Sequence, residues 1–262
     1  MVKRRSFPVA VLALVLAAGA SIAGAAPARS PAPASADTSR VHLGPAEAGT
    51  DAFVAWPAGA KSAPAVIVIQ EWWGLNSQIR EIARRLARQG YVAIAPDLYH
   101  GIVAEDPELA HTLARELDDD RALLDLDQAL RWLKAQGRTA KSRVGVVGFC
   151  LGGGLAEQFA LHQSGVAAAV MYYGHPVTNP ETLAALKAPL QGHFGAEDRG
   201  IPPDSVAAFR AALAAAGKNA EIYLYPGAGH AFMHEGRQSY HPDAARQAWT
   251  RTLAFFQKYL KG

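Results

Sequence analysis

The chain has 262 residues, 50% of them hydrophobic, and a formal net charge of +3. That is enough apolar material for one substantial core and a single domain of ordinary size. Part of the small positive excess sits in the opening Met-Val-Lys-Arg-Arg, and no Lys/Arg cluster interleaved with aromatics follows, so nucleic acid is excluded as an expected partner.

Lys3, Arg4 and Arg5 precede an apolar run from Val9 to Ala18, and small residues then lead to candidate cleavage points after Ala25 or Ala26. Residues 1–26 therefore read as a signal peptide, the apolar run being short and weak for a membrane-spanning helix; an uncleaved anchor is the alternative. Arg4-Arg5-Ser6-Phe7 resembles a twin-arginine export signal, with ordinary secretion the other route. An exported protein, periplasmic or secreted and free of the membrane after cleavage, is expected. Pro27 to Ala36 is rich in Pro, Ala and Ser, and residues 27–39 read as a disordered linker before a folded part spanning 40–262. The chain carries one cysteine, Cys150, which excludes an internal disulfide; a monomer is expected.

Strand and helix signals alternate along the folded part. Ala63 to Gln70 is a continuous β-branched run of strand length, and Ser77 to Gly90 places Ile79, Ile82, Ala83 and Leu86 on one helical face, with Ser77 as cap and Gly90 as stop. "YVAIAPDLY" is a buried-type strand. Glu108 to Gln136 reads as largely helical, with Leu113, Leu117, Leu124, Leu130 and Leu133 toward the core. "RVGVVGF" is a strand, "LGGGLAEQFALH" a helix, and "VAAAVMYYG" a strand. "APLQGHFG" and "AEIYLYPG" are two more strands, separated by a helix from Ser205 to Ala216. A last helix, Ala244 to Leu260, carries Trp249, Leu253, Phe256 and Leu260 inward. Continuous apolar strands joined by helices predict one α/β domain: a mostly parallel sheet with helices on both faces, and sites at the carboxyl ends of its strands.

Gly148-Phe149-Cys150-Leu151-Gly152 has the form G-x-C-x-G between a strand and a helix, the context of a nucleophile on a sharp turn. A helix N-terminus favours thiolate over thiol. His230, in "PGAGHAF", and Asp198, in "FGAEDRGIP", each follow a predicted strand, so Cys, Asp and His occur in the order of a hydrolytic triad. His230 is the base and Asp198 the orienting acid, with Glu197 the alternative acid and a helix cap the bland reading of Asp198. His234 stands four residues beyond His230, but no Glu-x-x-His context or third ligand accompanies the pair, so a metal is not expected. Glu71, directly after a buried strand and before Trp72 and Trp73, is a carboxylate in a poorly solvated position.

The strings "VIVIQEWWGLNSQIREIARRLARQGYVAIAPDLY", "VGVVGFCLGGG", "MYYG", "GAEDRGIP" and "GAGHAF" resemble the dienelactone hydrolase family of α/β-hydrolases, from about Ala63 to the C-terminal helix. The resemblance implies a single-domain α/β-hydrolase fold and a Cys150-His230-Asp198 triad acting without a cofactor on a small-molecule ester or lactone. It further implies that Glu71 accepts the proton of the resting thiol, and that the backbone amides of Leu151 and Trp72 form the oxyanion hole. Family members that cleave dienelactone hold its carboxylate with arginines. One is expected four residues past the catalytic histidine, where this chain has His234, and another around Pro107, where it has none. Arg115, Arg199 or Arg237 are possible substitutes, and Trp72, Trp73, Tyr99, Tyr172, Tyr173, Phe232 and His234 are candidates for lining an aromatic pocket. A non-catalytic binding protein on the same fold and a redox-sensing Cys150 are the rival readings.

Overall fold

The computed structural model describes residues 36–262; the expected signal peptide and most of the expected linker lie outside the described residues. Eight strands are described: β1 (Ala36–Leu43), β2 (Thr50–Pro57), β3 (Ala63–Ile69), β4 (Val92–Pro96), β5 (Thr139–Phe149), β6 (Ala168–Tyr172), β7 (Leu190–Gly195) and β8 (Ala220–Tyr225). They form one sheet in the order β1-β2-β4-β3-β5-β6-β7-β8. From β4 through β8 every neighbouring pair is parallel, while β1 and β2 add an antiparallel edge. β1 and β2 are a correction to the expected organisation: the described chain is already in strand at Ala36, where a linker running to residue 39 was expected. β1 is mostly exposed along its length, so it carries no apolar run by which composition could reveal it.

The central strands are buried on both faces because helices cover both. Alternate residues of β3 point to opposite sides. Ile67 and Ile69 join one core with Leu126, Leu130, Phe159 and Phe209, and Val66 and Val68 join another with Ile79, Leu86, Trp249 and Phe256. The first core lies under α3 (Asp119–Ala135), α4 (Leu151–His162) and α6 (Pro203–Ala215), and the second under α1 (Ser77–Arg88) and α7 (Pro242–Phe256). Asn76, not Ser77, caps α1: its side chain accepts from the amides of Gln78 and Ile79. Gly90 ends it in the left-handed region, φ +85°, as expected of a stop.

The long helix expected between Glu108 and Gln136 is two, α2 (Pro107–Glu116) and α3, because Asp118 leaves the helix and caps α3 by accepting from the Arg121 amide. Leu124, expected in the core, is exposed. A short helix α5 (Pro180–Leu183) precedes β7, and a closing π-turn (Gln257–Lys261) buries Leu260 behind α7. Loops at the carboxyl ends of β3, β5, β7 and β8 carry Glu71, Cys150, Asp198 and His230.

α4 contains one polar anomaly. Glu157 is fully buried; its Oε2 accepts from the Val177 amide at 2.9 Å, while Oε1 has no partner. Burial pushes its carboxyl up to about 8, outweighing the opposing bond from Val177. The folded chain therefore keeps a proton that an ordinary glutamate, near 4.5, has lost, and stability falls as pH rises through that interval. Glu157→Gln is neutral throughout, so its advantage in Tm over the parent should grow from near zero at pH 5 to about 5 °C or more at pH 8.5. Thermal melts of the two proteins across that range check this, and a difference that does not change with pH would contradict it.

Candidate active site

The turn after β5 is built by two glycines. A Cβ on Gly148 would lie 1.8 Å from the carbonyl oxygen of Gly152, and one on Gly152 would lie 2.4 Å from that of Gln70. Neither contact is sterically possible, so only glycine lets the strand turn directly into α4 against β3. Cys150 sits at the apex with φ +53° and ψ −117°, a conformation disfavoured for any side-chain-bearing residue. Its amide donates to Tyr172 O at 3.0 Å, and its carbonyl accepts from Gly153 and Gly154. The surrounding bonds thus hold the bend, and the thiol projects from the first turn of a helix.

His230 Nε2 lies 3.1 Å from Cys150 Sγ, and His230 Nδ1–H donates to Asp198 Oδ2 at 2.7 Å. The other oxygen of Asp198 accepts from the amides of Gly200 and Ile201 at 2.9 and 3.2 Å. Asp198 is buried and Glu197 exposed, and Asp198 is the carboxylate that pairs with His230. Nor does Asp198 cap α6, whose start is preceded by Pro202 with no side-chain cap. Burial alone would raise the Asp198 carboxyl, but the bond to His230, its charge and the two amides outweigh it and hold the carboxyl below its usual range. For His230 burial opposes the charge, yet the bonds to Asp198 and Cys150 and their charges win and push it up to about 10.

Glu71 departs from its expected place. Its Oε1 accepts from the Tyr173 hydroxyl at 3.2 Å and its Oε2 from His234 Nδ1–H at 2.5 Å. Both carboxylate oxygens are thus engaged by partners other than the thiol, and Cys150 turns to His230 instead. The two histidines four residues apart diverge, each to a different carboxylate, rather than converging on a common point. Leu151 opens α4, so its amide is one of the first-turn N–H groups that have no acceptor within the helix. Trp72 follows Glu71 in a turn closed by the Gly74 amide on Glu71 O at 3.1 Å.

A cavity of about 370 Å³ opens beside the thiol, lined by Trp72, Trp73, Cys150, His230, Ala231, His234, Arg237 and Ser239. Of the expected aromatic lining, Trp72, Trp73 and His234 are present. Tyr99, Tyr172, Tyr173 and Phe232 are not on its wall; all four are buried, and Tyr99 lines a separate cavity. Tyr173 and Phe232 pack edge to face with centroids 5.3 Å apart, and Tyr173 also meets the edge of His230. Arg237 was one of three candidate cations and is the one that reaches the cavity: its guanidinium stacks 3.9 Å over the Trp73 ring. Arg115 and Arg199 do not line it. Ala231 and Ser239 had no signal in the sequence, since the segment from β8 to α7 is a succession of turns without a facing periodicity.

The match to known proteins agrees with this architecture. The model of the dienelactone hydrolase family matches residues 50–260. A Salmonella typhimurium protein named "Putative carboxymethylenebutenolidase" is 39% identical over 226 residues, covering 79% of this chain and 82% of the relative. A Bradyrhizobium protein named "Probable 2-oxo-3-(5-oxofuran-2-ylidene)propanoate lactonase" is 32% identical over 226 residues, covering 80% and 90%. The crystal structure titled a putative dienelactone hydrolase from Klebsiella pneumoniae superposes with a TM-score of 0.77 at 36% identity, spanning 85% of this chain and 100% of that one. With the family model covering nearly all the described residues and relatives above 30% identity over most of their length, the chain belongs to the dienelactone hydrolase family.

Proposed function

We propose that this hydrolase cleaves a small carboxylic ester or lactone through an acyl-enzyme on Cys150. The observation that carries the reading is the unbroken hydrogen-bonded row from Asp198 through His230 to Cys150 at the wall of a cavity. The thiolate sulfur attacks the substrate carbonyl carbon, and the carbonyl electron pair moves onto oxygen, facing the amides of Leu151 and Trp72. The intermediate collapses, the carbon–oxygen bond to the leaving group breaks, and His230 Nε2–H protonates the departing alkoxide. His230 then takes a proton from water, whose oxygen attacks the thioester carbonyl; release of the acid regenerates the thiolate–imidazolium pair. Asp198 keeps the Nδ1 proton in place and stabilises the imidazolium. In a lactone the leaving oxygen stays tethered to the acyl group, so ring opening and acylation are one event.

The cavity wall supports a small substrate with an apolar body, and beyond the triad it brings the guanidinium of Arg237. The lactonase name of the Bradyrhizobium relative supports lactones as one substrate class. Export to the periplasm or medium belongs to the same proposal; it rests on residues 1–26 as read from the sequence, and the folded protein is proposed to act as a monomer.

Three measurements check this reading. Purified protein should hydrolyse an activated aryl ester and simple enol-lactones, with Cys150→Ala falling to the uncatalysed rate and Asp198→Asn losing about 10²–10⁴ in kcat. Mass spectrometry of the quenched reaction should place the acyl group on Cys150; equal turnover by wild type and Cys150→Ala would sink the assignment. Arg237→Gln should cost about tenfold in kcat/KM on a carboxylate-bearing ester while changing the neutral methyl analogue by less than about twofold. An equal loss on both would show that Arg237 supports the wall rather than reading charge.

A further inference from the structure

The turn that carries the Trp72 amide meets the loop leaving β4, and one buried side chain shapes that loop. Asp97 is 7% exposed. Its carboxylate accepts from the Tyr99 amide at 3.2 Å and the Gly101 amide at 2.9 Å, and its carbonyl accepts from the His100 amide at 3.2 Å. Three successive amides thus close on one residue. They bend the chain through two left-handed positions, His100 at φ +50° and Gly101 at φ +101°, the first of them unfavourable for a residue with a side chain. Asp97 is itself fixed to β2: its amide donates to Asp51 O at 2.8 Å, and its carbonyl also accepts from the Thr50 hydroxyl. Burial pushes the Asp97 carboxyl up, against the Gly101 and Tyr99 amides and the charges of His100 and Arg80.

The bent loop meets the turn backbone to backbone. The Ala104 amide donates to Trp73 O at 3.0 Å. Gly74, at φ +89°, lies so close that a Cβ on it would stand 2.6 Å from Ile102 O. Trp72 and Trp73 pack with Ala104, Ala110 and Leu113 in an apolar cluster apart from the two large cores. Where the turn begins, β3 abuts α4: a Cβ on Gly152 would also lie 2.7 Å from Ile69 O, and Trp72 shares the cavity wall with Cys150. We infer that Asp97 is a positioning residue for the oxyanion hole: by closing on the amides of Tyr99, His100 and Gly101 it fixes the β4 loop, and that loop holds the Trp72 amide where the substrate carbonyl oxygen arrives. Asp97 does not line the cavity and acts only through the loop. This rests on the acyl-enzyme reading above and goes further by naming the side chain that keeps one of the two donors in place.

The test compares two reactions of Cys150 in wild type, Asp97→Ala and Asp97→Asn. With hydrocinnamaldehyde the thiolate sulfur bonds to the aldehyde carbon, the carbonyl electron pair moves onto oxygen and no group leaves, so the adduct needs the hole. Iodoacetamide alkylates the same sulfur by displacing iodide and places no oxyanion there. The aldehyde dissociation constant is read as protection of Cys150 from iodoacetamide. Asp97→Ala should raise that constant and lower kcat on an aryl ester, each about 30-fold or more, with KM and the unprotected alkylation rate changed by less than about twofold. Asp97→Asn keeps one acceptor oxygen and should lose about tenfold. Gly101→Ala, whose Cβ meets nothing within 4 Å, opposes only the left-handed φ and should show the same split at about fivefold. Alkylation that slows in step with aldehyde binding, a wild type that the aldehyde does not protect, or a folded Asp97→Ala that matches wild type overturns the proposal. Should neither Asp97 variant fold, Gly101→Ala decides, and a wild-type aldehyde constant there overturns it. Protection needs no ester: a raised constant in the variants without Cys150-dependent turnover in wild type would sink the hydrolase reading and spare this one, and such turnover with an unchanged constant would do the reverse.

Discussion

The close approach of β5, α4 and β3 around Gly148 and Gly152 is the constraint on which the site depends. With a side chain at either position the backbone would collide with a carbonyl oxygen, the strand could not turn straight into the helix, and Cys150 would leave the apex. The cost is paid in conformation: Cys150 occupies a strained backbone region, held by amide and carbonyl bonds to neighbouring segments. Such strain persists only where the surroundings over-determine it. Here the surroundings are the best-buried strands of the sheet.

Around that apex electrostatics works by opposition. Burial disfavours charge on both His230 and Asp198, and each is nonetheless charged because the other supplies the partner and the bond. Each shift rests largely on the other residue, with the Gly200 and Ile201 amides adding to Asp198 and Cys150 to His230, so the two are coupled rather than separable contributors. Glu71, a second buried carboxylate, is satisfied separately, by His234 and the Tyr173 hydroxyl. His234 stands where family resemblance leads one to expect a substrate-binding arginine, and the cavity's cation is found three residues later, at Arg237, resting on Trp73.

Much of this was legible from residue order. The glycine-flanked cysteine between a β-branched run and a helical pattern located the elbow. Aspartate and histidine after later apolar runs located its partners, because parallel strands buried on both faces leave continuous apolar signatures and their carboxyl ends share one edge. What stayed hidden follows from the same physics. β1 is mostly exposed, so its residues alternate without an apolar signal. The break between α2 and α3 turns on the side chain of Asp118 serving as a cap, and an aspartate inside a leucine-bearing stretch carries that choice ambiguously. The partner of Glu71 was beyond reach because it depends on how a loop without periodicity folds over a distant turn. Tyr99, Tyr172, Tyr173 and Phe232 were placed on the cavity wall by residue type alone; packing buries all four, the Tyr173 ring against His230 and the Phe232 ring against Tyr225.

The side chains paired at this edge are also far apart along the chain: 80 positions separate Cys150 from His230, and 163 separate Glu71 from His234. Contacts of such span form late, after loop-closure entropy has been met by the rest of the sheet. Until β8 and the loop beyond it dock, Cys150 has no imidazole beside it. The Asp198–His230–Cys150 row is therefore a contact that only a completed sheet edge can make.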